Sequence, residues 1–380
     1  MKRSTDRILT THTGSLARPA DLIDLLRAKE AGESYDAAAL AERVRSSVAE
    51  VVQKQTDAGV DVVSDGEESK PGFANYIKDH LTGFVTRERT QSRSFADQAD
   101  FPDFRPLETS TIGSWRLVCN GPVAPGDGAA LQADLANFSA ALEGAPVTEA
   151  FMPAISPGTL SQNVSNEHYD SDDAFLFAVA DAMAHEYKAI VDAGFLLQID
   201  SPDLAMGKNA QFPDASVDEF RAVIDRRVEA LNHALAGIPA DRVRHHICWG
   251  NYEGPHHRDI ELRDIVDVLF KANVGAMYIE GASPRHGHDW KVFEDVKLPK
   301  DLTLIVGVID TKTNIIEHPG LVADRIVNYA NLIGRENVIA GTDCGFGTAA
   351  DRTRVAPSIS WAKLKAMSDG AALASQELWR

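Results

Sequence analysis

The chain alternates long segments of helical periodicity with short runs of consecutive apolar residues. From Ala37 to Ala58 the apolar residues recur every three or four positions, which places them on one face of a helix, and the segment stops before Gly59. The next run, Val60 to Glu67, begins with β-branched apolar residues and ends with acidic ones, as expected for a buried strand that leads into a loop. A helix, a glycine, a buried strand and polar residues at the strand end therefore form one unit.

The same unit recurs along the chain. Further helices are predicted at Asp172–Ala193, Val217–Leu235, Ile260–Ala272 and Leu321–Ile333. Eight strands are predicted, at Ile8–Ser15, Val60–Glu67, Thr148–Gly158, Phe195–Asp200, Val243–Trp249, Ala276–Glu280, Leu302–Ile309 and Val338–Cys344. Their apolar residues are consecutive and do not alternate with polar ones, which is typical of parallel strands buried on both faces. The pattern predicts an α/β protein with a (β/α)8 TIM barrel.

An open sheet and an insertion are two departures from a simple barrel that the sequence raises. A doubly wound open sheet is the alternative, but no G-x-G-x-x-G sequence follows the first predicted strand and no Walker loop occurs. The stretch at about 86–128 is polar and rich in Pro, Arg and Asp, so we expect an inserted hairpin or lid after the second strand. We expect a single domain, 1–380, with Cys119 packed inside the insertion.

The overall charge is strongly acidic, with a net charge of -18 and a pI near 5.1. We find no cluster of Lys and Arg that could neutralise phosphates, so neither nucleic acid nor an anionic membrane is expected as a partner. No run reaches the roughly 18 apolar residues of a membrane span, and the N-terminal residues lack a signal-peptide core. We therefore expect a soluble, cytoplasmic protein. Its 3 cysteines are too few for a disulfide framework, so each is either a buried apolar residue or a functional thiolate.

Residues that could take part in catalysis or bind a metal occur at the predicted strand ends, where the active sites of TIM barrels lie. His246 and Cys248 stand two positions apart, and side chains at that spacing share one face of a strand. The full set at strand ends is Ser15, Asp65, Glu67, Asp200, His246, Cys248, Glu280, Asp310 and Cys344. For any single acidic residue, a helix cap or an ion-pair partner is the alternative role.

Four of these residues predict a zinc site. The two thiolates of Cys248 and Cys344, the imidazole of His246 and the carboxylate of Glu280 form a donor set that Zn²⁺ accepts in tetrahedral geometry. The donors come from three separate strands, whereas structural zinc sites tend to use close C-x-x-C pairs. Glu280 is the donor that a substrate displaces most easily. A substrate thiol in its place would become nucleophilic at neutral pH.

The segment Gly254–Arg258, which contains His257, and the segment Pro284–His288 add cationic and titratable groups just past two predicted strands. With Lys312, they could bind an anionic substrate tail or protonate an alkoxide, or they could be ordinary loop residues. We take Asp310, Lys312 and His257 as the candidate catalytic residues.

Several motifs resemble the cobalamin-independent methionine synthase family, specifically its catalytic C-terminal barrel. The family's zinc pattern is matched by His246-Ile247-Cys248, Ile279-Glu280 and Asp343-Cys344-Gly345, and its substrate motifs by Gly14-Ser15, Gly66-Glu67 and Ile199-Asp200. The resemblance implies a zinc cofactor and an amino acid thiol as substrate. It also implies that Glu67 and Asp200 bind the substrate's ammonium group and that Ser15 binds its carboxylate.

The chain departs from the family at two motifs. Asp200-Ser201-Pro202 stands where the family has Asp-Glu-Pro, and Asp310-Thr311-Lys312-Thr313 stands where it has Asp-Ile-His-Ser. In the family that histidine helps to protonate the folate leaving nitrogen. We also expect no counterpart of the family's N-terminal barrel. The resemblance therefore implies alkylation of a zinc-bound thiol and leaves the donor open.

Three kinds of function follow. The first is a zinc-dependent methyl or alkyl transferase that acts on a homocysteine-like thiol, with a small-molecule thiol and an alkyl or methyl donor as partners and a homo-oligomer left open. A variant of it is ring opening by a zinc-bound thiol, as in epoxyalkane:coenzyme M transferases. The second is a zinc-free decarboxylase on a barrel of the uroporphyrinogen decarboxylase type. The third is a binding or structural barrel in which a metal only holds strands together.

Overall fold

The computed structural model describes residues 1–88, 95–104, 112 and 115–380. Its strands are β1 (Leu9–Thr10), β2 (Val62–Val63), β3 (Leu81–Glu88), β4 (Trp115–Pro125), β5 (Glu149–Ile155), β6 (Ser165–Asn166), β7 (Leu196–Asp200), β8 (Val243–Ile247), β9 (Ala276–Ile279), β10 (Thr303–Ile309) and β11 (Val338–Thr342). Eight of them pair in the order β1-β11-β10-β9-β8-β7-β5-β2, and all these pairs are parallel. A parallel bridge between Thr11 and Val62 joins the two outer strands. The predicted TIM barrel is confirmed.

Helices follow the strands and cover the barrel. They are α1 (Ala20–Glu30), α2 (Ala37–Asp57), α3 (Ile77–His80), α4 (Ala96–Ala99), α5 (Ala129–Ala141), α6 (Pro157–Asn163), α7 (Asp172–Asp192), α8 (Gly207–Ala210), α9 (Val217–Ala234), α10 (Leu262–Leu269), α11 (Pro319–Ile333) and α12 (Pro357–Leu378). Short 3-10 turns lie at Pro202–Leu204, Ala240–Arg242, Asp289–Glu294 and Arg335–Asn337. None of the helices in the described ranges is both long and apolar enough to cross a membrane.

The helix α2 shows why the periodic segments fold as predicted. Its N-terminus is capped by the side chain of Asp36, which accepts hydrogen bonds from the backbone N–H groups of Ala38 and Ala39. Val44 and Val48 are buried on the face toward the barrel. Just beyond its end, Gly59 has a φ of +80°, a left-handed conformation that favours glycine.

Two predicted strands are much shorter than their apolar runs suggest. The first keeps only Leu9–Thr10 of the predicted Ile8–Ser15, and the second keeps Val62–Val63 of Val60–Glu67. Polar side chains replace the strand ladder beyond these points: Gln55 Oε1, for example, accepts a hydrogen bond from the backbone N–H of Ser64, 2.9 Å away. The helices α1, α5, α6 and α12 were not predicted from the sequence.

The insertion is a hairpin. Strands β3 and β4 pair antiparallel, and β6 adds a third, parallel strand to this sheet. The hairpin begins at Leu81, five residues before the predicted start at 86, because residues 81–85 already belong to the ladder with β4. Cys119 lies opposite Phe84 in this ladder and is buried. The parts of the predicted insertion at 89–94, 105–111 and 113–114 lie outside the described residues.

Arg18 ties together three loops at the carboxyl face of the barrel. Its side chain is buried and donates hydrogen bonds to the backbone carbonyl oxygens of Leu16, Glu67, Lys70 and Gly347. These residues follow β1, β2 and β11, which are neighbours around the barrel. A single guanidinium therefore fixes the relative position of the loops that carry Glu67 and the segment after Cys344.

We predict that Arg18→Met lowers the free energy of unfolding by about 3–5 kcal/mol, because four carbonyl groups and a nearby carboxylate lose a buried partner. The measurement is urea unfolding at pH 7. The control is Arg45→Met, since Arg45 is exposed and its ion pair within the described ranges is with Glu42. We expect this variant to cost no more than about 1 kcal/mol. Equal losses in the two variants would contradict the role given to Arg18.

Candidate metal centre and substrate cavity

Three of the four predicted metal donors lie together. His246 is the penultimate residue of β8, and Cys248 is the first residue after this strand. Cys344 lies two residues beyond the end of β11. One ligand atom of each residue lies within 4.8 Å of the ligand atoms of the other two, and all three side chains are buried. Two cysteines separated by 96 positions in the chain thus reach one point at the carboxyl face of the barrel.

The donor set fits zinc. His246 Nδ1 is buried and has no hydrogen-bond partner among the described residues, and a buried polar atom of this kind is rare unless a ligand satisfies it. The Cys344 side chain lies beside Cys248, and their interaction lowers the pKa of Cys248 to about 5 and raises that of Cys344. Cys248 is therefore the thiolate of the pair, the form in which cysteine binds a metal.

Glu280 lies beside this cluster at the end of β9. Its Oε1 atom accepts a hydrogen bond from the backbone N–H of Trp249 at 2.9 Å and lies 3.7 Å from Cys344 Sγ. Its Oε2 atom accepts a hydrogen bond from Lys312 Nζ at 2.7 Å. Burial alone would raise the pKa of Glu280, but the Lys312 ammonium outweighs burial and lowers it. The fourth predicted donor is thus ionised and adjacent, with a cation on its far side.

Asp343 explains how Cys344 is brought to Glu280. The carboxylate of Asp343 accepts hydrogen bonds from the backbone N–H groups of Gly281, Ala282 and Ser283 at 2.8–2.9 Å. These bonds join the end of β11 to the loop after β9. The acidic residue before Cys344 therefore positions the donor.

The cluster opens into a cavity of about 180 Å³ at the carboxyl ends of the strands. The three predicted substrate residues, Ser15, Glu67 and Asp200, line the same cavity as His246, Cys248 and Cys344. Gly345 permits this approach, because a Cβ atom added there would lie 2.0 Å from Ser15 Oγ. Candidate substrate and metal residues therefore line one cavity.

Two buried acidic side chains, Glu67 and Asp200, line the cavity. Burial raises the pKa of Asp200 to about 7, although the nearby His246 imidazole opposes this, and burial also raises the pKa of Glu67. Glu67 has a φ of +57°, a strained backbone conformation for a residue with a side chain. Its Oε2 atom is buried without a hydrogen-bond partner among the residues described. An ammonium group bound between the two acids would satisfy this atom and stabilise both charges.

The remaining candidates differ in position. Asp65 and Asp310 organise their own turns, since each accepts a hydrogen bond from the backbone N–H two residues later, at Glu67 and Lys312. Lys312 reaches Glu280 but does not line the cavity. The structure does not bring His257 to the cavity: its side chain is 42% exposed and lies 2.8 Å from Asp100 Oδ2.

The inserted segment supplies a wall that sequence reasoning missed. The ring of Phe95 stacks on that of Tyr252 at 3.9 Å, and both residues line the cavity. The buried carboxylate of Asp97 holds this arrangement, because it accepts hydrogen bonds from Tyr252 OH at 2.7 Å and from the backbone N–H of His256 at 2.8 Å. Tyr252 follows the His246 motif closely, and its aromatic character was a usable signal. Phe95 lies in a polar stretch without periodicity and gave none.

A buried histidine carries charge next to the metal motif. His286 lies between Asp259 and Asp289, at 3.1 and 3.0 Å, and its ring stacks on Trp249 at 4.0 Å. Burial alone would lower the pKa of His286, but the hydrogen bonds to the two carboxylates outweigh it and raise the pKa to about 9. His286 is therefore an imidazolium at neutral pH.

We predict that His286→Gln destabilises the metal-free protein in a pH-dependent way. The folded-state pKa of about 9 lies above the ordinary value of 6.5, so the stability from His286 is fully present below pH 6.5 and is lost as the pH rises toward 9. The difference in unfolding free energy between wild type and variant should shrink across that window, as measured by urea unfolding at a series of pH values.

The comparison variant is His12→Gln. Its difference in unfolding free energy from the wild type should change with pH in the opposite direction. His12 is fully buried against Gln55 and burial lowers its pKa to about 3, so its contribution is present above pH 6.5 and is lost as the pH falls toward 3. Parallel pH profiles for the two variants would contradict the charge states assigned here.

The fold and the site define a TIM-barrel protein with a buried His–Cys–Cys cluster at the carboxyl face. The profile of the family described as "Cobalamin-independent synthase, Catalytic domain" matches residues 8–103 and 157–372. The chain belongs to this family, which confirms the resemblance seen in its motifs.

Relatives cover nearly the whole chain. It is 24% identical over 383 residues to the Bacillus subtilis (strain 168) "Uncharacterized protein YxjH". This alignment covers 97% of the present chain and 94% of the relative. It is 25% identical over 375 residues to a "Methionine synthase" of Saccharolobus islandicus, and this alignment covers 98% of the present chain and 96% of the relative. A solved B12-independent methionine synthase from Shewanella sp. W3-18-1, in complex with selenomethionine, shares the fold with a TM-score of 0.77 at 20% identity, over 98% and 99% of the two chains.

Proposed function

We propose that this protein is a zinc-dependent transferase that transfers a methyl or alkyl group to the thiol of a homocysteine-like amino acid. One observation carries the proposal: the His246–Cys248–Cys344 cluster and the side chains of Ser15, Glu67 and Asp200 line the same cavity. Membership of the cobalamin-independent synthase family supports it, as do curated relatives named methionine synthase. The proposal includes a cytoplasmic location, where reducing conditions keep the cysteines as thiols.

In this proposal His246, Cys248 and Cys344 hold zinc and Glu280 is the fourth, exchangeable donor. Bound zinc would supply a Lewis acid that lowers the pKa of a substrate thiol. The chain's own contribution is to deliver two soft thiolates and one imidazole from separate strands of a rigid barrel. The cavity beside them gives the substrate thiol access to the metal.

The acceptor we propose carries an ammonium group. Glu67 and Asp200 offer two buried acidic groups, and Glu67 Oε2, 3.8 Å from the Arg18 guanidinium, has no hydrogen-bond partner among the described residues. We assign to Ser15, whose side chain lies close to Gly345, a hydrogen bond to the substrate carboxylate. An anionic thiol such as 2-mercaptoethanesulfonate would instead face two carboxylates, so the electrostatics favour homocysteine over the coenzyme M type of acceptor.

We predict that the purified protein contains about one equivalent of zinc per chain and that Cys248→Ser and Cys344→Ser each remove most of it. The measurement is elemental analysis after extensive dialysis. Cys119→Ser is the matched control, because Cys119 is buried in the hairpin strand β4, outside the candidate donor cluster. Less than half an equivalent in the wild type, or zinc content unaffected by Cys248→Ser, would sink the proposal.

The acceptor can be tested by binding to the zinc-loaded protein. Glu67→Gln and Asp200→Asn should each weaken homocysteine binding by about tenfold or more, because each removes a charge-assisted contact to the ammonium group. The same variants should bind 2-mercaptoethanol, a thiol without an ammonium group, about as well as the wild type. Isothermal titration with both thiols makes the comparison. A similar loss for both thiols would show that the carboxylates do not bind an ammonium group.

A further inference from the structure

Lys312 is bound to Glu280 by a short, buried ion pair. The two charged atoms, Lys312 Nζ and Glu280 Oε2, are 2.7 Å apart, and the side chains are 11% and 0% exposed. The turn that carries Lys312 is fixed by the hydrogen bond from its backbone N–H to Asp310 Oδ1 at 2.9 Å. The lysine is thus aimed at Glu280 from the loop after β10.

The carboxylate of Glu280 faces two directions. Oε2 points to Lys312, whereas Oε1 accepts the backbone N–H of Trp249 at 2.9 Å and lies 3.7 Å from Cys344 Sγ. An ionised carboxylate has lone pairs enough to keep a lysine and a backbone N–H and still offer one oxygen to a metal. Glu280 can therefore touch the donor cluster with one atom while the other stays in its ion pair.

We propose that Lys312 is a positioning residue that makes Glu280 a weak and exchangeable donor to the metal. The inference rests on the proposed function and goes beyond it by assigning the exchange to a named residue. Lys312 draws charge from the carboxylate, which weakens its bond to a cation. It also remains beside Glu280 when the carboxylate is displaced by a substrate thiol.

Charge balance shows why the partner matters. A doubly charged metal with two thiolates and one carboxylate carries one net negative charge, and the ammonium of Lys312 cancels it. When Glu280 gives up its position it remains fully buried, and an unpaired buried carboxylate is strongly unfavourable. Because Lys312 pairs with Glu280 in both arrangements, the carboxylate can leave the metal without this penalty.

The experiment uses the full-length protein with Co²⁺ in place of zinc, since cobalt–thiolate absorption reports the ligands directly. Homocysteine is titrated into the wild type, Lys312→Met, Lys312→Gln and Lys312→Arg, and the rate of metal loss to a chelator is measured for each. Lys29→Met is the control, because Lys29 forms a partly buried pair of the same length, 2.7 Å, with Asp79 outside the cavity.

For Lys312→Met we expect metal loss to be slower by about tenfold or more, and the absorption change to require about tenfold more homocysteine, since Glu280 without its partner holds the metal more tightly. Lys312→Arg should restore both properties, and Lys29→Met should match the wild type. Should Lys312→Met not fold, Lys312→Gln carries the same expectations, because it keeps a hydrogen-bond donor and removes the charge.

Two results would separate this inference from the proposed function. If the wild type responds to homocysteine and the uncharged Lys312 variants exchange metal and bind thiol as it does, only the role of Lys312 is overturned. If the wild type binds no metal, or its cobalt spectrum does not respond to homocysteine, the proposed function itself fails.

Discussion

A buried carboxylate needs a partner, and the carboxyl face of this barrel buries several around one small cavity. Glu67 lies 3.8 Å from the Arg18 guanidinium, Glu280 is paired with Lys312, and Asp200 accepts a hydrogen bond from Gln198 at 2.8 Å. The cost of leaving any of these groups unpaired exceeds the stability contributed by most single contacts. Pairs of buried charges therefore join the loop after β1 to the loop after β2, and the loop after β9 to the loop after β10, and these pairs help to set the geometry of the site.

This requirement also separates structural charges from those available to a ligand. Arg18 donates its hydrogen bonds to backbone carbonyl groups and so organises the loops. Glu67 Oε2 is left without a hydrogen-bond partner within the described chain. Lys70 likewise donates to the carbonyl oxygen of Pro153 at 2.7 Å. The acids that face the cavity are thus stabilised within the fold, and we propose that they bind an ammonium group. The site combines a buried His–Cys–Cys cluster with a pocket lined by Glu67 and Asp200, to which we assign the ammonium group of the substrate.

Much of this arrangement could be predicted from the sequence, because the barrel imposes strict rules on where strand ends lie. The His246–Cys248 spacing and the positions of Glu280 and Cys344 at strand ends were enough to place them near one another. Contacts set by side-chain length were not predictable: the pairing of Lys312 with Glu280 spans 32 positions and depends on a turn fixed by Asp310. His257 was predicted as a catalytic residue, but it faces solvent, and its neighbour His256 is the buried histidine.

The most direct test of the account is X-ray absorption at the zinc edge of the purified protein, before and after addition of homocysteine. We expect about two sulfur neighbours per zinc in the resting protein, from Cys248 and Cys344, and about three with homocysteine bound. Zinc surrounded only by nitrogen and oxygen, or a sulfur count that homocysteine leaves unchanged, would contradict it.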